Sequence, residues 1–262
     1  MNAELLLMFA LDCDRAYFYA HPERELSADE ATRYDEALVR RESGVPAQYI
    51  TGHQEFWGMD FIVSSAVLIA RPETEQVVET VLPLARAIGR PKIVDVGTGS
   101  GCIAVALAKE LPDAEIHASD ISVEALEVAR ANAFRLAGGD ARPSISRIYF
   151  QQADLLGGMA PDSFDFVVSN PPYVGESEAD TVQLEVRKFE PRQGVFAGPT
   201  GLEVIERLIP QAQAVLKPGG WLVFEISGTI ADRVPGLLQG WGSVSIAKDL
   251  QGIPRVASAQ RT

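Results

Sequence analysis

The sequence predicts an α/β protein, a doubly wound and mostly parallel sheet with a small helical domain ahead of it. Three observations carry that expectation. From about residue 90 onward, short runs rich in β-branched residues alternate with segments of helical length, the pattern of strands joined by crossover helices. One such run, KIVDV, leads directly into GTGSG and a further apolar helix. Residues 1–55, by contrast, carry helix signals throughout.

The helical domain reads as AELLLMFALDC, a segment around 14–21, and SADEATRYDEALVRRESG. The last opens on Ser27 as N-cap with Glu30 at capping-box spacing, and closes in Arg40, Arg41 and Gly44. The opening MNAELLLMFALDCDR has no basic region, carries Glu4 ahead of its apolar run and lacks a small-residue cleavage site, so it reads as an amphipathic helix of a cytoplasmic chain. Residues 56–70, FWGMDFIVSSAVLIA, read as a short hairpin linker, a hinge or lid between residues 1–55 and 71–262. RPETEQVVETVLPLA is a helix with Pro72 in its first turn. Strands follow at 92–96, 115–119, 146–151, 164–169, 220–226, 243–247 and 254–259, with helices at 101–110, 122–136, 200–216 and 229–239. AGGDARPS, 137–144, reads as an exposed loop.

At 262 residues, with 47% hydrophobic and 23% charged, the chain suffices for one large α/β domain plus an appendage without disulfide or metal staples. No apolar run approaches the roughly 18–20 residues of a membrane span. Cys13 and Cys102 lie far apart, and His21, His53 and His117 show no ligand spacing with them, so no metal site is expected. A net charge of −13 argues against a partner that is mainly phosphate backbone, because such binding runs on Lys and Arg.

Strand ends assemble a ligand edge. Gly97, Gly99 and Gly101 allow close backbone approach, and the helix that follows offers free N–H groups. The GxGxG spacing lacks the third glycine of the dinucleotide fingerprint, which leaves two readings, a nucleotide-like cofactor or a tight structural turn. HASD ends the next strand on Asp120, about twenty residues on, where a carboxylate accepts from both ribose hydroxyls. QQAD brings Asp154 to the same edge, either as an acceptor for an exocyclic adenine amine or as a turn aspartate.

A fourth strand ends in VVSNPPYVGE, 167–176. Two prolines cannot continue a ladder, and Pro171 restrains the preceding Asn170 to extended backbone. An aimed amide followed by the aromatic face of Tyr173 forms a holder for a flat polar group. The bland alternatives are a loop cap for Asn170 and core packing for Tyr173. Arg71, Glu73 and Glu75 either border this site or form a helix-start charge cluster.

The glycine loop, the acidic end of the second strand and NPPY resemble class I S-adenosylmethionine methyltransferases that act on planar nitrogen. With FWGMDFIVSSAVLIARPETE, PAQYITGHQEF, EPRQGVFAGPTGLEVIERLI and LKPGGWLVFEI, nearly the whole chain resembles the bacterial release-factor glutamine N5-methyltransferases, the PrmC/HemK family. The resemblance implies a Rossmann-like fold with a seven-stranded sheet, and methylation of the glutamine in the Gly-Gly-Gln motif of peptide-chain release factors, with residues 1–55 governing recognition of the protein substrate and residues 71–262 binding the cofactor. A monomer that needs neither metal, nucleic acid nor membrane is expected. S-adenosyl-L-methionine would lie on Gly97, Thr98, Gly99, Ser100, Gly101, Asp120, Asp154, Leu155 and Asn170, with Asn170, Pro171, Pro172 and Tyr173 at the transfer step. The Asn170 oxygen and the Pro171 carbonyl would accept from the two N–H groups of the amide and stabilise charge growing on its nitrogen. Three departures stand out. LIARPETE has Ala70 where the family has proline, which would loosen the hinge; EISGTIADRV lacks the glycine and glutamine usual after Glu225-Ile226; and the family often has one more N-terminal helical stretch, so the small domain is expected to be less well covered here. The rival functions are an adenine-N6 methyltransferase acting on a flipped base and a catalytically silent cofactor-binding module.

Overall fold

A computed structural model describes residues 2–137 and 145–262. Four α-helices make up the N-terminal segment: α1 (Asn2–Leu11), α2 (Arg15–Ala20), α3 (Ala28–Glu42) and α4 (Ala47–Thr51). The capping box forms as expected: Ser27 Oγ accepts from the Glu30 N–H at 3.3 Å, and Glu30 Oε2 accepts from the Ser27 N–H at 2.9 Å. Leu6, Ala37, Ala47 and Ile50 close a small core between α1, α3 and α4. The expected amphipathic stripe of α1 is weak, since apolar Leu5 and Phe9 stay exposed beside buried Leu6 and Ala10.

The hairpin begins earlier than the sequence suggests. Strands β1 (His53–Phe56) and β2 (Met59–Ile62) pair antiparallel through Trp57 and Gly58, whose φ angles of 55° and 63° are both positive. A two-residue hairpin turn of this hand requires that conformation at both positions. Residues 63–71 are an irregular strap, broken where the Val67 N–H bonds back to the Ser64 carbonyl. Phe56, Met59 and Phe61 are buried in the same core as α5 (Glu75–Arg86). Pro72 lies in a single 3₁₀ turn, Pro72–Thr74, directly ahead of α5.

The chain then alternates through β3 (Lys92–Val96), α6 (Cys102–Glu110), β4 (Glu115–Asp120), α7 (Val123–Ala137), β5 (Tyr149–Gln152) and β6 (Phe164–Ser169). It continues through β7 (Val174–Gly175), α8 (Leu184–Phe189), α9 (Arg192–Val195), β8 (Phe196–Gly198), α10 (Glu203–Val215) and β9 (Leu216–Glu225), and ends in α11 (Val234–Leu237), β10 (Gly242–Lys248) and β11 (Pro254–Gln260). Seven strands form one sheet in the order β10-β11-β9-β6-β3-β4-β5, in which β11 runs antiparallel to the other six. Adjacent strand residues take opposite faces: Ile93, Phe166 and Val223 face the core under α5 and α6, whereas Val94, Val167 and Leu222 face the core under α10. Burial on both faces explains why the strands read as unbroken apolar runs.

Several expected boundaries shift. The strand expected at 220–226 starts at Leu216, because the ladder with β6 absorbs Pro218-Gly219-Gly220 at an irregularity between Phe164 and Phe166. The strand expected at 146–151 starts at Tyr149 after a 3₁₀ turn. Of the helix expected at 229–239 only Val234–Leu237 is α-helical. Ala137 is the buried last residue of α7, and the rest of the loop expected at 137–144 lies outside the described residues. Among the described residues, no helix is long and apolar enough to cross a membrane, and no group of three or more His, Cys, Asp or Glu gathers where it could hold a metal.

Candidate active site

The carboxyl ends of β6, β3, β4 and β5 lie side by side, the place where open parallel sheets take ligands. Backbone bonds fix them: Ser169 Oγ donates to the Val96 carbonyl at 2.7 Å, the N–H groups of Gly97 and Thr98 donate to the Ser119 carbonyl, and the Ala153 N–H donates to the Asp120 carbonyl at 3.0 Å.

The glycine loop has two distinct sides. Gly97, Gly99 and Gly101 all take positive φ, yet only Gly101 is crowded, since a Cβ there would lie 3.2 Å from Ala129 Cβ on α7. A Cβ at Gly97 or Gly99 would meet open space. Thr98 and Ser100 turn their side chains inward and are buried, so the loop offers backbone outward. Asp120 accepts from the N–H of Gly99 through Oδ2 and of Ser122 through Oδ1, both at 2.9 Å, and its carboxylate keeps further lone pairs. Asp154 reaches the same edge, but its half-exposed carboxylate is paired with Arg207 of α10 at 2.5 Å. Leu155 takes φ 54°, leans on the α10-side core and accepts from Ser119 Oγ through its carbonyl at 3.0 Å.

Asn170 follows β6 at the edge of this loop, and its Nδ2 donates to Thr74 Oγ1 at 3.2 Å. Thr74 in turn donates to Glu225 Oε2 at 2.6 Å, and Tyr173 Oη donates to Glu225 Oε1 at 2.9 Å. The NPPY loop is therefore tied at both polar ends to one buried carboxylate. Burial pushes the Glu225 carboxyl above its ordinary range and the Tyr173 phenol above its own. Pro171 is buried and Pro172 half-buried, which stiffens the stretch between. Tyr173 also packs against the α10-side core, and its backbone is approached so closely that a Cβ on Gly201 would sit 2.6 Å from the Tyr173 carbonyl oxygen.

The charged cluster at 71–75 divides its roles. Glu75 accepts from the Trp57 N–H at 2.6 Å, Glu73 pairs with Arg255 at 3.5 Å, and Arg71 pairs at 2.5 Å with Glu190, which also accepts from the Ile69 N–H. These contacts fasten the strap beside the site. Ala70 is buried in the α5-side core.

Four residues that the sequence reading did not assign belong to the arrangement. Asp95 ends β3 almost fully buried. Its Oδ2 accepts from Thr98 Oγ1 at 2.7 Å and from the Ala104 N–H at 3.2 Å, and Oδ1 has no partner among the described residues. Desolvation raises its pKa to about 7 against the lowering effect of those bonds. Thr74 and Glu225 complete the Asn170 contacts, and Asn132 of α7 bonds the glycine loop. A single acid or amide inside an apolar run, as in KIVDV and LVFEI, was the available signal.

The cradle fits an adenosyl sulfonium: open space at Gly97 and Gly99, an acceptor carboxylate at Asp120, and a buried unpartnered acceptor at Asp95 suited to a cationic group.

Comparisons with known proteins fall in the same place. Residues 1–52 match the family described as PrmC N-terminal domain, and residues 75–188 match the methyltransferase small domain. A release factor glutamine methyltransferase of Koribacter versatilis is 54% identical over 262 residues, 100% of this chain and 91% of the relative. Another, of Chlorobaculum tepidum, is 41% identical over 265 residues, 97% of this chain and 88% of the relative. The human Mettl16 catalytic domain, solved with the MAT2A 3'UTR hairpin 6, superposes with a TM-score of 0.61 at 16% identity, covering 95% of this chain and 93% of that one. At that identity the likeness is one of fold.

Proposed function

The chain belongs to the release factor glutamine methyltransferase family, and from that premise we propose that it transfers a methyl group from S-adenosylmethionine to the side-chain amide nitrogen (N5) of the glutamine in the Gly-Gly-Gln motif of peptide-chain release factors. When bound, S-adenosylmethionine supplies an electrophilic methyl group whose sulfur departs with the bonding pair. The loop Gly97–Gly101 would present its backbone to that molecule, Asp120 would accept from its ribose hydroxyls, and Asp95 would receive its cationic end. Asp154 would take the adenine amine only by sharing its carboxylate with Arg207, and Leu155 would border the ring.

An amide nitrogen is a weak nucleophile because its lone pair is delocalised, so orientation is what the protein has to supply. Asn170 is held by its nitrogen, which leaves Oδ1 to accept from one substrate N–H, while the Pro171 carbonyl accepts from the other. Both acceptors stabilise the positive charge that grows on the nitrogen, and one amide proton leaves to water as the methyl replaces it. Tyr173 borders the flat amide. Residues 1–52 recognise the protein substrate.

The observation that carries this reading is the bond from Asn170 Nδ2 to Thr74, which fixes the direction of the amide. The test offers labelled S-adenosylmethionine with release factor or with deproteinised nucleic acid, and locates the product by mass spectrometry. Label on a release-factor glutamine supports the reading. Label on adenine, or on neither substrate, contradicts it.

A further inference from the structure

The geometry points to Glu225 as a positioning residue that decides, through the hydroxyl of Thr74, which end of the Asn170 amide faces the reacting edge; the inference rests on the function proposed above for Asn170.

The two ends of an asparagine amide have nearly the same shape, so packing alone scarcely distinguishes them and the hydrogen-bond partners must choose. Glu225, the last residue of β9, is 1% exposed and has hydroxyl partners at both oxygens: Thr74 at 2.6 Å and Tyr173 at 2.9 Å. An ionised carboxylate accepts only. Thr74 has one hydroxyl proton, and giving it to Glu225 leaves only lone pairs on its oxygen. The group 3.2 Å away must then be a donor, which makes it the Asn170 nitrogen. The reverse orientation would set Oδ1 against those lone pairs. The polarity of the chain thus runs outward from the buried charge, and the oxygen is left at the edge where a substrate amide is held.

The same charge also orients Tyr173, so one carboxylate fixes both polar members of NPPY. The three segments involved are far apart in sequence: Thr74 precedes α5, Asn170 follows β6 and Glu225 ends β9. Burial raises the Glu225 carboxyl above its ordinary range and Glu73 adds to the rise, while the hydroxyls of Thr74 and Tyr173, and Arg255 of β11, favour the ionised acceptor form. A buried charge with this arrangement serves direction better than it serves stability, since isolating a charge from water is costly even when it is hydrogen-bonded.

The test uses Thr74→Val, Thr74→Ser, Glu225→Gln and the Thr74→Val/Glu225→Gln double variant in the full chain. Measured together are single-turnover methylation of release factor, KM for release factor, cofactor affinity and thermal unfolding. Thr74→Val is expected to lower kcat about 10- to 100-fold, the scale of a displaced orienting group, with KM and cofactor affinity within about 3-fold of wild type. Thr74→Ser should recover most of the rate. Glu225→Gln should lower kcat without lowering the melting temperature, and should add little on top of Thr74→Val, because both act through one hydroxyl. A Thr74→Val rate within about 3-fold of wild type, a fully additive double variant, or loss of rate only in step with loss of folded protein overturns the assignment.

A second readout does not depend on the substrate. The side-chain amide resonances of Asn170, identified by their loss in Asn170→Ala, should move in both Thr74→Val and Glu225→Gln. Resonances unmoved in either overturn the relay. Wild-type label on a group other than glutamine contradicts the proposed function while these resonances still decide the relay.

Discussion

The side-chain nitrogen of Asn132 donates to the carbonyl of Ser100 at 2.9 Å, tying helix α7 to the glycine loop. The same amide also donates to the Ile62 carbonyl at 2.9 Å and accepts from the Ile62 N–H at 2.7 Å, so it spans from the glycine loop to the hairpin with both N–H groups and the oxygen bonded at 0% exposure. Arg135, three residues on, bonds the hairpin at Asp60.

Asn132→Ala leaves three backbone groups unmet, the Ser100 carbonyl buried and the two of Ile62 half-buried, and should lower stability by about 2–4 kcal/mol, the scale of several orphaned hydrogen bonds. Cofactor affinity should fall with it, whereas Arg135→Ala should leave that affinity unchanged. Denaturant unfolding and calorimetry on the two variants check this, and equal cofactor affinities in both would separate the Asn132 contacts from the loop.

Asp120→Ala removes the acceptor of the Gly99 and Ser122 N–H groups together with the proposed ribose contact. Cofactor affinity should fall by about 1–3 kcal/mol, the scale of losing charged hydrogen bonds. Calorimetry that finds unchanged affinity would take Asp120 out of the site.

The mostly parallel sheet, the glycine turn, and the placing of Asp120 and Asn170 at strand ends were legible in the sequence, because each follows from a local rule: alternation, glycine spacing, an acid at a strand end, a proline pair. The hairpin was displaced because IVSSAVLIA has strand composition, and only the pairing of His53 with Ile62 shows where the ladder stops. Thr74, Asn132 and Glu225 were not legible as partners. Their contacts cross 96, 32 and 52 residues to Asn170, Ser100 and Tyr173, and no local spacing encodes such distances. The Asp154–Arg207 pair was missed for the same reason.

Asp95 gives a pH signature. Its folded-state pKa of about 7 lies above the usual carboxylate value, so the folded chain binds the proton more tightly than the unfolded chain and this group's contribution to stability declines as pH rises towards 7. Asp95→Asn cannot ionise. Its stability relative to wild type should therefore improve by roughly 2–3 kcal/mol between pH 5 and pH 8. Unfolding curves for the apo proteins at both pH values measure the difference, and a pH-independent gap would contradict a strongly desolvated Asp95.

The division of labour along the chain is open to truncation. Phe56, Met59 and Phe61 of the hairpin are buried in the α5-side core, so a cut that spares the fold belongs near residue 52. A 53–262 fragment should keep cofactor binding and lose most of its rate on release factor. Full-length rate from that fragment would remove residues 1–52 from substrate recognition.

Whether Asn170 holds a substrate amide for methyl transfer is read most directly from single-turnover methylation of intact release factor by Asn170→Ala, with cofactor binding followed separately and the methyl group located by mass spectrometry. The expected result is a rate lowered by about 10²-fold or more, the scale of losing one preorganised polar contact, with cofactor affinity changed far less and the residual methyl still on glutamine nitrogen. A near-native rate from Asn170→Ala, or wild-type label on any group other than a glutamine side chain, contradicts the claim.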